Sequence, residues 1–286
     1  MAEIKITADT HCELGENPLW DPQRQCVYWT DITAGKIYCH ETPTGRHRVV
    51  YEGELVGGFT LQDSGDLLLF RMNDLALLHP NGQTTALRKY SDEGMERFND
   101  VIADPEGRVF AGTIGAHPHC GLYRVDLDGK ITRLLSGTGC SNGMGFSPDC
   151  KTFYWTCSTT RRILQFDYAQ ATGEVTNGRL FYKTAGDVPD GLTVDAEGCV
   201  WSARWGGAAV VRHAPNGKPI ERIDVPARNV TSVCLGGDKL NDLFITSARR
   251  GSADLPHAGA LFHVAVAAKG RVEFNSRIII EGSQHG

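Results

Sequence analysis

The sequence predicts an all-β fold, a six-bladed β-propeller. Two observations carry this prediction: a strand-and-turn pattern recurs six times, and no strongly helical segment interrupts it. When the copies are aligned on a shared turn position, that position is occupied by Asp21, Asp63, Asp104, Ser147, Asp195 and Gly236. The copies lie 42, 41, 43, 48 and 41 residues apart, a period that suits blades of four antiparallel strands.

Each copy continues from its turn into an alternating strand. These predicted strands cover residues 26–31, 67–70, 108–113, 152–156, 199–203 and 242–247. Trp29, Trp155 and Trp201 recur at similar strand positions, so we expect these indoles to pack between blades. Trp205 follows the fifth strand and is a candidate for the wall of a pocket. Propellers usually close by pairing strands from both chain ends, and either residues 4–6 or residues 277–280 could supply the closing strand.

The length fits one large all-β domain as well as two ordinary ones. The chain has 286 residues, of which 41% are hydrophobic, which is enough to bury a sizeable core. No linker interrupts the repeats, so residues 1–286 are predicted to form a single six-bladed propeller domain. A β-solenoid or a pair of sandwiches is the alternative, but the period and the number of copies suit a closed ring.

Charge and the N-terminal sequence disfavour several partners and compartments. The formal net charge is −5 and no basic run is present, which speaks against nucleic acid or an anionic membrane as partner. The N-terminus shows no charged leader before an apolar stretch, and no apolar run approaches the length of a membrane span, so we expect a cytoplasmic protein. The nine cysteines include no C-x-x-C pair and are expected to be reduced thiols.

The repeat also predicts which residues meet at the central channel. In a propeller, the residue just before each inner strand lies at the channel mouth. Five residues before the aligned turn position, the six copies carry Glu16, Gly58, Asn99, Asn142, Asp190 and Thr231. Four of these side chains offer carboxylate or amide oxygens, which suit calcium, magnesium, manganese or a hydrated zinc. We therefore predict a site for one divalent metal cation at the mouth of the central channel, with a chance coincidence of turn-forming residues as the alternative.

Several motifs together give the chain a family resemblance. They are residues 15–21 (GENPLWD), 28–32 (YWTDI), 97–100 (RFND), 141–144 (SNGM), 146–149 (FSPD), 189–191 (PDG), 203–207 (ARWGG) and 230–237 (VTSVCLGG). With these motifs the chain resembles the gluconolactonase, regucalcin (senescence marker protein) and luciferin-regenerating enzyme family of six-bladed, metal-dependent propellers. The similarity runs through nearly the whole chain.

The resemblance implies a role for each residue of the predicted site. It implies that Glu16, Asn142 and Asp190 hold the metal, that Asn99 lies nearby on metal or substrate, and that Arg97 binds substrate. It also implies a metal-dependent lactonase, which opens a sugar-acid lactone to the aldonate and has a small-molecule sugar lactone as its partner.

Two departures from the family pattern leave the sugar and its ring size open. Asn17 stands where most relatives carry glycine, which alters the loop beside Glu16. Residues 112–120 lack the carboxylate that some sugar-lactone members carry there. His117, His119 and Cys120 in that loop are too few for a closed tetrahedral zinc site, so an exposed or substrate-facing loop is favoured.

The predicted donors suggest how such a site would work. A divalent cation polarises a lactone carbonyl, and a neighbouring carboxylate removes a proton from the attacking water. Asp190 is the candidate for both ligand and catalytic base, because Gly191 loosens the turn beside it. Two alternative functions stay open. In one, the same site hydrolyses other esters or phosphotriesters; in the other, the chain is a non-catalytic calcium-binding propeller.

Overall fold

Short strands separated by tight turns build the whole described chain. The computed structural model describes residues 3–252 and 255–280, so the remaining parts of the predicted 1–286 domain lie outside the described residues. The first twelve strands are β1 (Lys5–Ala8), β2 (Gly15–Asp21), β3 (Cys26–Asp31), β4 (Lys36–Glu41), β5 (Arg46–Glu52), β6 (Val56–Leu61), β7 (Leu67–Arg71), β8 (Asp74–Leu78), β9 (Thr84–Lys89), β10 (Met95–Ala103), β11 (Val109–Gly115) and β12 (Cys120–Val125).

The second half repeats the same pattern. Its strands are β13 (Ile131–Thr138), β14 (Ser141–Phe146), β15 (Thr152–Cys157), β16 (Arg162–Ala169), β17 (Glu174–Lys183), β18 (Val188–Val194), β19 (Val200–Trp205), β20 (Ala209–His213), β21 (Pro219–Asp224), β22 (Asn229–Gly236), β23 (Asp242–Ala248) and β24 (Leu261–Ala265).

These strands form six antiparallel four-stranded sheets, which confirms the predicted six-bladed propeller. Five sheets are simple meanders: β2–β5, β6–β9, β10–β13, β14–β17 and β18–β21 form blades one to five. Blade six has the order β1-β24-β23-β22. The N-terminal strand therefore closes the ring, with Lys5 opposite His263 and Ile6 opposite Phe262.

In three of the blades, a local hydrogen bond explains why aspartate recurs at the aligned turn position. The carboxylates of Asp21, Asp104 and Asp195 each accept the backbone N–H two residues further on, at 2.9, 2.9 and 3.0 Å. Aspartate suits this place because its short side chain can bond its own turn. All these turns follow an inner strand, so they lie at the end of the ring opposite the inner-strand starts.

The C-terminal segment takes a different route from the closing strand. Ser276 forms a parallel bridge with Gln62, and its N–H donates to the carbonyl of Leu61 at 2.7 Å. Arg277 N–H then donates to Gly107 O in blade three. The segment therefore crosses the ring at the turn end and ties blade two to blade three.

Large aromatic side chains fill the space between blades, as predicted. Trp29 belongs to a cluster that joins blade one to Phe244 of blade six, and Trp201 packs with Ile245 of blade six. Trp155 packs with Phe110 of blade three. Because each aromatic residue buries roughly 150–250 Å², these clusters hold the blades around a fixed channel.

Two further observations concern the thiols and the membrane. All nine cysteines are free, and seven of them are buried. Within the described segments, no helix has the length and apolar character that crossing a bilayer requires.

Candidate functional site

The structure brings four of the predicted side chains into one pocket. Glu16, Asn99, Asn142 and Asp190 lie in the inner strands of blades one, three, four and five, each five residues before the turn position, and they line a pocket of about 370 Å³. The rest of its wall consists of Leu14, Arg97, Ile114, Cys140, Ser158, Thr159, Val188, Trp205 and Arg250. Arg97 and Trp205 thus lie where the sequence placed them. Gly58 and Thr231, at the same position in blades two and six, are not part of this wall.

Every inner strand carries an irregularity at this end of the ring. The antiparallel register shifts between Glu16 and Leu19, between Asn142 and Met144, and in the other four inner strands near their starts. A β-bulge bends a strand and redirects a side chain. The six bulges therefore turn residues at the inner-strand starts toward a common axis.

Asn17 shows how one departure from the family pattern is accommodated. Its backbone is left-handed, with φ of 49°, a conformation that glycine adopts freely and asparagine tolerates. The Oδ1 of Asn17 accepts the N–H of Phe59 at 2.6 Å in the bulged strand of blade two. The asparagine therefore preserves the bulge beside Glu16 and adds a bond between two blades.

A hydrogen-bonded chain connects the polar side chains across three blades. Arg97 Nη1 donates to Asn99 Oδ1 at 2.6 Å, and Asn99 Nδ2 donates to Asn142 Oδ1 at 3.1 Å. Asn142 Nδ2 donates to Ser158 Oγ at 3.2 Å, and that hydroxyl donates to Pro189 O at 2.8 Å. Because an amide oxygen has two lone pairs, both asparagines retain the capacity to accept one more contact.

The two carboxylates of the pocket are almost fully buried. Glu16 is 8% exposed and Asp190 is 5% exposed, and Oδ1 of Asp190 has no hydrogen-bond partner among residues 3–252 and 255–280. Burial raises the pKa of both groups well above the usual range; the charge of Asp190 raises that of Glu16 further, and Arg97 opposes the rise in both. Buried like charges of this kind require a positive counter-charge to remain ionised together.

These donors fit a hard divalent cation. Two carboxylates with neighbouring amide oxygens are ligands that such cations prefer, and the unpaired oxygen of Asp190 is the observation that supports the fit. In the described chain no three His, Cys, Asp or Glu side chains form a metal-binding group. Beyond Glu16 and Asp190, the amide oxygens of Asn142 and Asn99 in the same wall are available as further protein ligands.

The channel contains two more carboxylates beyond the pocket. Asp100 and Glu273 line a cavity of about 40 Å³ further along the axis. Burial raises the pKa of Asp100 to about 7, and the charge of Glu273 adds to the rise. Asp100 also raises the pKa of Asp190. These groups add negative potential beneath the pocket.

The loop that joins β11 to β12 in blade three lies outside the pocket wall. His117 and His119 are exposed, whereas Cys120 is buried and its thiol donates to Gly94 O at 3.4 Å. The three side chains do not combine into a metal site in the described chain.

Arg250 is the pocket residue that the repeat could not reveal. It follows β23 of blade six. The residue of blade six that is equivalent to Glu16 is Thr231, and its hydroxyl donates to Gly15 O at 2.5 Å. The guanidinium of Arg250 adds to the lowering of the Arg97 pKa that burial chiefly causes. The pocket wall therefore contains two arginines as well as its two carboxylates.

Comparison with known proteins agrees with this architecture. Residues 14–249 match the family described as SMP-30/Gluconolactonase/LRE-like region. Pentonolactonase XacC from Haloferax volcanii is 39% identical over 287 residues, covering 96% of this chain and 98% of the relative. The 6-deoxy-6-sulfogluconolactonase of Pseudomonas putida is 32% identical over 273 residues, covering 91% and 94%. A calcium-binding protein, regucalcin, from Agrobacterium tumefaciens superimposes with a TM-score of 0.91 at 27% identity, covering 97% of this chain and 98% of that one.

Proposed function

Because the chain belongs to the SMP-30/gluconolactonase/LRE-like family, we propose that it is a divalent-metal-dependent hydrolase that opens a sugar-acid lactone to the aldonate. Relatives named for hydrolysis of pentonolactone and of a sulfogluconolactone support the lactone as substrate class. The relative described as calcium-binding supports a divalent ion. The observation that carries the proposal is the buried pair Glu16 and Asp190, with one free carboxylate oxygen, in a pocket of about 370 Å³.

The metal site consists of Glu16, Asp190 and Asn142 in this proposal. These residues would hold a divalent cation, which would supply polarisation of the lactone carbonyl and stabilisation of the negative charge on its oxygen. Asn99 holds the Asn142 side chain in place, because its Nδ2 donates to the Asn142 oxygen. A bound cation also stabilises the ionised form of a carboxylate most strongly when that carboxylate is buried beside another one.

Asp190 is the candidate base. Its Oδ1 has no hydrogen-bond partner within the described part of the chain, and this carboxylate accepts a proton from the water that attacks the carbonyl carbon. The carbonyl-to-ring-oxygen bond then breaks, and the same proton passes to the released ring oxygen, which becomes a hydroxyl.

Arg97 binds the substrate in this scheme. One of its nitrogens, Nη1, is occupied by Phe98 O at 2.9 Å and by Asn99 Oδ1 at 2.6 Å. The guanidinium is thereby fixed in orientation, and its other N–H groups are left to donate to hydroxyl or carbonyl oxygens of the sugar. No covalent intermediate on the protein is required.

A proton-release assay tests the proposal. D-glucono-1,5-lactone and pentono-1,4-lactones are offered to the metal-free protein and to the protein supplied with Ca²⁺, Mg²⁺, Mn²⁺ or Zn²⁺. We expect turnover of at least one lactone, and only with added metal. Faster turnover of an aryl phosphotriester or an aryl ester would assign the same site to that chemistry. Calcium binding without turnover of any of these compounds would make the chain a non-catalytic binding protein.

A further inference from the structure

A second groove adjoins the pocket at the same end of the ring. It has a volume of about 460 Å³ and shares Val188, Trp205 and Arg250 with the pocket wall. It lies between blades five and six, and its additional wall includes Asp187 and Arg228. A substrate in the pocket can therefore extend past Trp205 into this groove without leaving the protein surface.

The pairing of two strands explains why two arginines meet there. Strand β22 begins at Asn229, strand β23 ends at Ala248, and these residues face each other in the antiparallel register. Arg228 directly precedes β22 and Arg250 follows β23, so both lie at the same end of blade six. Asn229 Nδ2 donates to the carbonyl of Arg250 at 2.6 Å, which fixes the two segments to each other.

The groove carries more positive than negative charge. Arg228 and Arg250 are both exposed, and neither forms an ion pair with any described carboxylate, although most arginines of the chain do. Asp187 is the one carboxylate of the groove's described wall. It accepts the hydroxyl of Thr184 at 3.0 Å and lies 3.8 Å from Nη1 of the buried Arg204, which offsets its charge.

We propose that this groove is a subsite for an anionic substituent, and that the preferred substrates are lactones with a phosphate or a carboxylate at the end away from the lactone carbonyl. This inference rests on the proposed lactonase function. A guanidinium suits such a group because it presents several donors in one plane to its oxygens. Since neither Arg228 nor Arg250 forms an ion pair with a described carboxylate, the charge of both guanidinium groups is available to the ligand.

Kinetics with a matched pair of substrates tests the subsite. We compare kcat/KM for D-glucono-1,5-lactone and for its 6-phosphate, and expect at least tenfold preference for the phosphate, the scale of a charge-assisted contact. Arg228→Gln should remove most of that preference and leave the neutral lactone within about twofold, because Arg228 is outside the pocket wall. Arg46→Gln removes the same charge from the exposed outer strand of blade one and should change neither value.

At Gly186, a negative charge can be introduced into the groove. Gly186 lies on the wall, a Cβ there would meet no atom within 4 Å, and its φ is outside the left-handed range. Gly186→Glu should therefore place a carboxylate beside the arginines without strain and lower kcat/KM for the phosphate about tenfold. Gly186→Gln has the same shape without the charge and should keep the preference.

Direct binding separates this inference from the proposed function. Calorimetry with 6-phosphogluconate and with gluconate needs no turnover, and we expect tighter binding of the phosphate, weakened by Arg228→Gln and by added salt. Equal binding of the two acids, or a phosphate preference that Arg228→Gln leaves intact, would overturn the subsite even if neutral lactones are hydrolysed. A protein that binds 6-phosphogluconate through Arg228 but opens no lactone would retain the subsite and refute the lactonase.

Discussion

Asn99 donates a hydrogen bond from Nδ2 to Oδ1 of Asn142 at 3.1 Å, across the boundary between blades three and four. The same amide accepts from Arg97 at 2.6 Å. Asn99 therefore fixes at once the orientation of a candidate metal ligand and that of a candidate substrate-binding group. The two roles meet in one side chain because Asn99 and Asn142 occupy equivalent positions in the inner strands of adjacent blades.

Replacing Asn99 by alanine should damage both roles together. We expect Asn99→Ala to lower kcat/KM for a lactone by about 10- to 100-fold, because a buried charge-assisted contact and an oriented ligand are lost. Titrating the metal in the same assay should also show a higher concentration for half-maximal rate. Asn216→Ala, in an exposed turn, is the control, and an unchanged kcat/KM for Asn99→Ala would exclude it from the site.

Removing the metal should abolish turnover and leave the fold intact. The blades are held by buried aromatic clusters such as those of Trp29 and Trp201, which contain no metal ligand. After exhaustive chelation we expect the β-type circular dichroism spectrum to be nearly unchanged at room temperature. Unfolding of the metal-free protein would mean that the cation is structural, contrary to our placement of it.

The position of four pocket residues could be predicted from the sequence because a propeller repeats its geometry with each blade. Counting back from a turn residue that bonds its own backbone places Glu16, Asn99, Asn142 and Asp190 at equivalent points of the ring. The structure brings these side chains together. Their roles in metal binding and catalysis stay predictions.

The features of the site and fold that could not be predicted depend on contacts that do not recur from blade to blade. Arg250 reaches the pocket from the segment after β23, whereas the equivalent segment of blade four contributes Ser158 and Thr159, so the repeat does not predict an arginine there. The choice of closing strand depended on whether residues 4–6 or residues 277–280 pair with the edge of β24, and both segments are short and rich in isoleucine. Asp100 and Glu273 meet only because the C-terminal segment crosses the channel.

Asn17 should contribute to stability rather than to chemistry. Asn17→Gly permits the same left-handed backbone but removes the acceptor for the buried N–H of Phe59. We expect the free energy of unfolding to fall by about 1–3 kcal/mol, measured by urea denaturation, while metal affinity stays within about threefold. A large loss of metal affinity would show that the Asn17 side chain, and not the backbone bulge, orients the Glu16 carboxylate.

His213 should make the protein less stable in acid. Its Nδ1–H donates to Gly217 O at 3.1 Å and its Nε2 accepts from Arg204 at 2.6 Å, so both ring nitrogens are engaged in the neutral form. Burial chiefly, and Arg204 in part, lower its pKa to about 4. The unfolded chain binds a proton near pH 6.5, so stability is lost as the pH falls from about 6.5 to about 4.

The loss that His213 causes is on the order of 3 kcal/mol over that interval. Urea midpoints of wild type and His213→Gln at several pH values isolate this contribution, because the other titrating groups are common to both. Glutamine can still accept from Arg204, so we expect a shallower pH dependence. His47→Gln, on the exposed strand β5, should behave like wild type, and parallel curves for all three proteins would contradict the assignment.

The role of Asp190 can be separated from that of Glu16 by removing one charge from each. Asp190→Asn keeps an oxygen of nearly the same shape but cannot accept the proton. If Asp190 is ligand and base, kcat at saturating metal should stay about 100-fold or more below wild type, the usual size of a general-base contribution. Glu16→Gln should instead recover most of its rate as metal is added, because its defect is one of affinity. Full recovery of Asp190→Asn at saturating metal would leave it as a ligand alone, and the proton would then have to go to another group of the pocket.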